Sequence, residues 1–369
     1  MHETMPGARH LPRIFAFDMI VSSMGDRSMG RSAALGVLLA ASIAFATAAA
    51  AEATPIPVKV MLVTMFGPEG QVWQDHLPLT RAIPVPGLSP DYPDIHCASN
   101  GVCLVTTGMG HANAAASIAA LVFSRQFDLR HAYWLVAGIA GINPQDGTLG
   151  SAAWARYLVE WDLQWELGSN EAPKGWPTGY TGINTRNPQQ KPPLDYKTEV
   201  FQLDEALLQR AYALSKSVTL TDSPAAAKAR AAYPPPANQP PAVIQCDTAS
   251  GDTWWSGTEL GERAQAWTNL LTDGHGNYCT TQQEDNAIYA VLTRAAAAGL
   301  ADDRRVAVLR AGSDFDRPPP GGNDAANMLD YAEQGGFVPA IANLYRAGNP
   351  LVQAITTHWA DWEKGVPPD

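Results

Sequence analysis

Four places in this sequence set reactive or recognition side chains beside backbone features able to present them. Asp314 follows an apolar run in the string Arg310-Ala311-Gly312-Ser313-Asp314-Phe315-Asp316. An acid just past the C-terminal end of a strand in an α/β sheet is placed to act as a general acid, and equally to cap a helix or sit in a solvated turn. Glu284, within Gln282-Gln283-Glu284-Asp285-Asn286, stands at a predicted helix start, where the helix dipole favours a carboxylate whatever its further role. Trp254 and Trp255 follow Ser250-Gly251-Asp252 and offer flat faces to a base, although paired tryptophans also serve cores and interfaces. Gly108-Met109-Gly110, before a predicted helix, either presents N–H groups to an anion or sugar or makes a tight turn.

The elements that must position these groups follow from apolar runs and breakers. Strands are predicted over Val58 to Thr64, Val102 to Thr107, Tyr133 to Ala137, Ser151 to Val159, Ala242 to Cys246, Tyr278 to Thr281 and Arg305 to Ala311. Helices are predicted over about Ala112 to Phe123, Asp204 to Lys216 and Asn286 to Ala298, with two more stretches near 337–346 and 350–362. Strands alternating with helices, with glycines at the strand ends, imply an α/β sheet whose site lies at those ends. Residues 167–241 are rich in Pro, Gly, Asn and Gln and read as an excursion from the sheet holding one core helix. Pro234, Pro235, Pro236, Pro240 and Pro241 are unsuited to a central strand.

The chain has 369 residues, 25 basic and 36 acidic, for a net charge of −11, which argues against a nucleic-acid or anionic-membrane partner. With 46% hydrophobic residues it can bury a full core. The run Ala33 to Ala46 follows Arg27 and Arg31 and precedes Ala48 to Ala51, the pattern of a secretory signal, and falls short of the roughly 20 residues of a spanning helix. Residues 1–51 are therefore read as a signal peptide and 52–369 as one α/β domain, periplasmic or secreted, with no membrane span in the mature chain. A start at Met24 or Met29 gives a normal signal, because Met1 to Ser28 is long and carries acids. Four cysteines in the exported part suit disulfides: Cys97 with Cys103 around a turn-prone string, and Cys246 with Cys279 across neighbouring strands. No metal or cofactor is expected, since no cysteine pair has C-x-x-C spacing and no His-rich motif accompanies them.

The order of the blocks is more specific than any one of them. MFGPEGQVW (65–73), VPGLSPDYPDIHC (85–97), TTGMGHANAAASI (106–118), VAGIAGINP (136–144), CDTASGDTWWSG (246–257), CTTQQEDNA (279–287), GSDFDRPPPG (312–321) and YAEQGGFVPAI (331–341) resemble the purine nucleoside permease family over about Val58 to Trp359. More distantly, the chain resembles the nucleoside phosphorylase and nucleosidase superfamily. That resemblance implies a mixed central sheet flanked by helices in three α/β/α layers, no cofactor, and a homo-oligomer.

The same resemblance implies roles. Glu69 stands where nucleosidases carry the glutamate that activates water, and Trp254 where an aromatic stacks on the purine. Gln283-Glu284 stands where a Met-Glu pair binds ribose hydroxyls, and Ser313-Asp314 where an aspartate protonates the purine at N7. Ile139 replaces a hydroxyl residue of the superfamily loop, and the loop Met65 to Gly70 lacks the arginine with which phosphorylases hold phosphate. Water is thus the expected nucleophile, with Arg156 and Arg317 left as candidates for binding an anion. The expected function is hydrolysis of purine nucleosides to base and ribose. The alternatives are phosphorolysis, or non-catalytic nucleoside binding that serves a separate membrane transporter, since a chain with one apolar segment makes no pathway by itself.

Overall fold

Val60–Thr64 (β1) is buried at every position because both faces of the strand are covered: Met61 and Val63 point into one apolar cluster, Val60 and Leu62 into another. In the computed structural model, which describes residues 54–368, this strand lies within one twelve-stranded mixed sheet. The run read as a signal lies outside the described residues. The other strands in chain order are Arg81–Pro84 (β2), Asp94–Cys97 (β3), Val102–Thr106 (β4), Tyr133–Ile142 (β5), Ala152–Trp154 (β6), Tyr157–Glu160 (β7), Val200–Gln202 (β8), Val243–Gln245 (β9), Asp247–Ser250 (β10), Tyr278–Gln282 (β11) and Val306–Phe315 (β12). The spatial order is β8-β7-β10-β11-β5-β1-β4-β3-β2, while off this path β12 pairs with β5 and β6, and β9 with β6.

Helices cover both faces. His111–Phe123 (α2) and Asp285–Ala297 (α5) pack into the cluster holding Met61, Val63, Val105 and Val136. Gly67–Gln74 (α1), Glu205–Ser215 (α3) and Phe337–Thr357 (α6) pack into the opposite one, holding Val60, Leu62, Leu104 and Leu135. A smaller cluster around Trp161, Trp255 and Trp267 joins β7 and β10 to the helix Thr258–Leu271 (α4). The mixed sheet between helical layers is the expected α/β/α arrangement.

Several boundaries differ from the sequence reading. The strand expected over Ser151 to Val159 is two, because Asp247 Oδ1 accepts the N–H groups of Arg156 and Tyr157 (3.0 and 2.7 Å) and turns the chain from β6 to β7. The two helical stretches near the C-terminus are one helix running through Pro350, followed by the short Trp359–Trp362. The proline removes one helical hydrogen bond and strains its turn, about 3 kcal/mol or more. Leu344, Ala347, Leu351, Val352 and Ile355 lie on one buried face spanning it, and a buried Leu, Val or Ile contributes about 1.5–3 kcal/mol. Packing decides the helix. The 167–241 excursion holds the expected helix (α3), but also a second one, Pro224–Arg230, and the edge strand β8, which pairs antiparallel with β7.

Both disulfides form as paired in the sequence reading. Cys97 and Cys103 face each other across the β3–β4 hairpin, and Cys246, just before β10, bonds to Cys279 on the neighbouring β11.

Gly348 lets α6 settle on Trp73 of α1 and Leu135 of β5; a Cβ there would lie 2.8 Å from the buried indole and 3.2 Å from Leu135. Gly348→Ala should lower the unfolding free energy by about 1–3 kcal/mol through overpacking, despite the gain of up to about 1 kcal/mol that alanine brings to a helix interior. Urea denaturation measures this, and unchanged or raised stability would contradict the close approach.

Candidate functional site

The sheet opens at the middle of β5. β1 runs parallel to β5 and pairs with Tyr133 to Val136, while β11 runs antiparallel and pairs with Gly141 and Ile142. The C-terminal ends of β1 and β11 therefore point at each other across Ala137 to Ala140, a stretch that neither strand covers. Open α/β sheets place their sites at such ends.

Glu69, in the first turn of α1, fills this gap. Its Oε1 accepts the N–H of Ile139 (2.7 Å) and its Oε2 the N–H of Met65 (2.7 Å), so a carboxylate replaces the missing strand neighbour. Burial pushes its pKa up to about 8, with Glu284 adding to the rise, against Arg310 and the two backbone donors.

Arg310 comes up from β12, fully buried. Its guanidinium donates to Asp285 Oδ1 (2.5 Å), Glu284 Oε2 (3.1 Å), Gln282 Oε1 (3.2 Å) and the carbonyl of Ile139 (3.1 Å). Burial works against its charge, but Asp285 and Glu284 override it and hold the group above its ordinary pKa. Glu284 also accepts the N–H of Gly110 at 3.0 Å. Gly138 permits the whole cluster, since a Cβ there would stand 2.6 Å from the Arg310 guanidinium and 2.9 Å from Glu69.

Asp314 lies inside β12 rather than beyond its end, because the strand continues to Phe315. The register with β5 slips between Gly312 and Asp314, leaving Ser313 as the extra residue of a bulge, a device that re-aims side chains. Ser313 Oγ donates to Asp314 Oδ1 (2.7 Å), and burial pushes the Asp314 carboxyl up to about 6.

These groups meet in one cavity of about 530 Å³, lined by Glu69, Gln283, Glu284, Arg310, Ser313, Asp314 and Trp254 among others. Trp254 is half-exposed at the mouth and meets Tyr331 edge-on, whereas Trp255 is buried and stacks on Trp161. The sequence pair is thus split between site and core. Gln283 donates to the carbonyl of Asp252 (2.6 Å), tying the Trp254 loop to the end of β11. Gly108 and Gly110, both at positive φ, lie outside the lining; Met109 between them reaches it, and the Gly110 N–H is engaged by Glu284. Arg156 and Arg317 also lie outside it, paired with Glu205 (2.7 Å) and Asp316 (2.8 Å). Ile139 lines the cavity. Among the described residues, no three metal-ligating side chains lining the cavity lie close enough together to hold one ion.

Sequence reasoning missed Arg310 and the apolar rim of Phe66, Met109, Tyr331 and Phe337. The signal for Arg310 was present: a lone cation within an apolar strand must find buried anions.

The fold is that of 5′-methylthioadenosine/S-adenosylhomocysteine nucleosidases. It is similar to a 5′-methylthioadenosine/S-adenosylhomocysteine nucleosidase of Neisseria meningitidis solved with methylthio-immucillin-A, with TM-score 0.50 and 14% identity, covering 80% of this chain and 99% of that one. Within that fold the chain belongs to the purine nucleoside permease family, whose model, described as "Purine nucleoside permease (NUP)", matches residues 57–367. It is 40% identical over 318 residues to a probable purine nucleoside permease of Schizosaccharomyces pombe, covering 82% of this chain and 90% of the relative. It is 38% identical over 307 residues to a purine nucleoside permease of Candida albicans, covering 82% and 75%.

The buried charges make a direct test of the site's construction. Arg310→Met leaves Asp285 and Glu284 buried without their cation and should cost about 3–5 kcal/mol near neutral pH. Adding Asp285→Asn should restore part of the loss in urea denaturation. A loss below about 1 kcal/mol for Arg310→Met, the scale of an exposed pair, would contradict this network.

Proposed function

We propose that this protein binds purine nucleosides in the cavity and hydrolyses their N-glycosidic bond. The observation that carries the reading is a pair of fully buried carboxyls, Glu69 and Asp314, lining one cavity with their pKa values pushed to about 8 and about 6. Asp314 donates a proton to N7 of the base as the bond from C1′ to N9 breaks and its electron pair goes to the base. Charge on the sugar rises toward an oxocarbenium ion, which nearby carboxylates stabilise. Glu69 takes a proton from water as the water oxygen attacks C1′, leaving free base and ribose. Glu284 accepts hydrogen bonds from ribose hydroxyls, and Trp254 stacks on the base. Ser313 holds the Asp314 carboxyl, and Gln283 holds the Trp254 loop.

Water is favoured over phosphate because Arg310, the one cation lining the cavity among the described residues, is already held by carboxylates. A second reading rests on a separate observation: no helix among the described residues is long and apolar enough to cross a membrane. A transport role would then be capture of nucleoside for a separate membrane transporter. Both readings place the chain outside the cytoplasm as a single domain from about residue 52, periplasmic or secreted, where its two disulfides persist. A homo-oligomer is part of the same reading, since exposed Met109, Trp254, Leu329 and Phe337 suit a subunit contact near the cavity mouth.

The reactive form has Glu69 ionised and Asp314 protonated, and with values of about 8 and about 6 it is a minority, on the order of 1% at pH 7. kcat/KM for base release should rise to about pH 6, stay level, and fall above about pH 8. Asp314→Asn and Glu69→Gln should each lower the rate about 10²–10⁴-fold. In Asp314→Asn the residual rate should keep rising to about pH 8, because only Glu69 still titrates. Variants within about tenfold of the parent rate would overturn the assignment.

A further inference from the structure

Outside the cavity, the fold gathers three side chains that no spacing in the sequence connects. His111 opens α2, Glu160 ends β7, and Asp162 follows it; one ligand atom from each lies within 4.8 Å of the others. None of the three lines the nucleoside cavity. We propose that His111, Glu160 and Asp162 form a site for a divalent transition-metal ion, best suited to Zn²⁺.

The imidazole carries the argument. His111 Nε2 is buried and has no hydrogen-bond partner, although such a nitrogen ordinarily finds one. It faces Glu160 Oε2 at 3.7 Å, beyond hydrogen-bond range. Two ligands about 2.0–2.1 Å from a tetrahedral Zn²⁺ stand about 3.4 Å apart, so this edge is close to the span that a bound ion sets. The Glu160 side chain is only 8% exposed, and no lysine or arginine pairs with it or with Asp162 among the described residues. Asp252 adds a third carboxylate nearby, so a dication would sit among three acids that accept backbone N–H groups but pair with no lysine or arginine among the described residues. One imidazole with two carboxylates suits Zn²⁺ better than Mg²⁺ or Ca²⁺, which take oxygen ligands. Asp162 is exposed, leaving that side of the ion open to water.

The surrounding hydrogen bonds couple this position to the cavity wall. Asp252 accepts the backbone N–H of His111 (2.7 Å) and donates its own N–H to Asp162 (2.6 Å). Its carbonyl takes the Gln283 amide, and two residues on stands Trp254. An ion here ties the Gly110-His111 turn to the loop carrying Trp254, and so stiffens the mouth of the cavity without touching its contents.

The test uses the full chain, stripped with EDTA and dialysed against Zn²⁺, with Co²⁺ as the optical probe. The parent should bind one Zn²⁺ per chain, give visible Co²⁺ absorption bands of low coordination number, and melt at higher temperature with Zn²⁺ present. His111→Ala should bind at least about 100-fold more weakly, beyond the loss expected from an outer partner. It should also lose the Co²⁺ bands while keeping the metal-free melting temperature. Asp162→Asn, at an exposed position, should weaken binding about tenfold or more, and His96→Ala, on β3, should leave it unchanged. Absence of stoichiometric Zn²⁺ in the parent, or binding as tight as the parent's in His111→Ala and Asp162→Asn, would overturn the proposal.

Discussion

A buried guanidinium needs anions around it, and the arrangement of this protein's cavity depends on how Arg310 finds them. Rising from the interior of β12, it donates to Asp285, Glu284, Gln282 and the Ile139 carbonyl. Those partners come from the end of β11, the start of α5 and the middle of β5, so one cation fixes three elements relative to one another. Without it, Glu284 and Asp285 would be two adjacent buried carboxylates with every reason to take up protons or move toward water. With it, Glu284 keeps a fixed direction and accepts a second bond from Gly110.

The sheet supplies the matching constraint. β5 is ten residues long and pairs with β12 from Trp134 to Ile142, but on its other side β1 stops and β11 begins. Glu69 occupies the interruption and takes the Ile139 N–H that a strand would otherwise have taken. A carboxyl used as a backbone partner loses most of its water, and burial then raises its proton affinity. Asp314 reaches the same cavity through the bulge at Ser313. The raised proton affinities are thus consequences of topology: each acid is placed where the sheet is irregular and little solvent remains.

Much of this was legible in the sequence, for identifiable reasons. The strands around Val58 to Thr64 and Val102 to Thr107 are continuous apolar runs, and α2, α3 and α5 have few breakers, so their positions could be read directly. The disulfide Cys97–Cys103 follows from a turn-prone loop, and Cys246–Cys279 from two adjacent strands. Other features are set by contacts that local patterns do not carry. The break between β6 and β7 depends on Asp247, ninety residues away in the chain from Tyr157. The continuity of α6 through Pro350 depends on the face it buries. Glu69 came only from family resemblance, because nothing local says that a glutamate at a helix start will reach Ile139. Arg310 was overlooked although its place in an apolar strand was informative. His111, Glu160 and Asp162 meet only because the start of α2 lies beside the end of β7.

In the proposed function these groups act together on a glycosidic bond. The most direct test is a single-turnover experiment with protein in excess over inosine, adenosine or guanosine, quenched and separated by chromatography in buffers with and without phosphate. Hydrolysis in the cavity should give equal amounts of free base and ribose at the same rate in both buffers. Recovery of intact bound nucleoside, or ribose 1-phosphate formed only when phosphate is present, would contradict it.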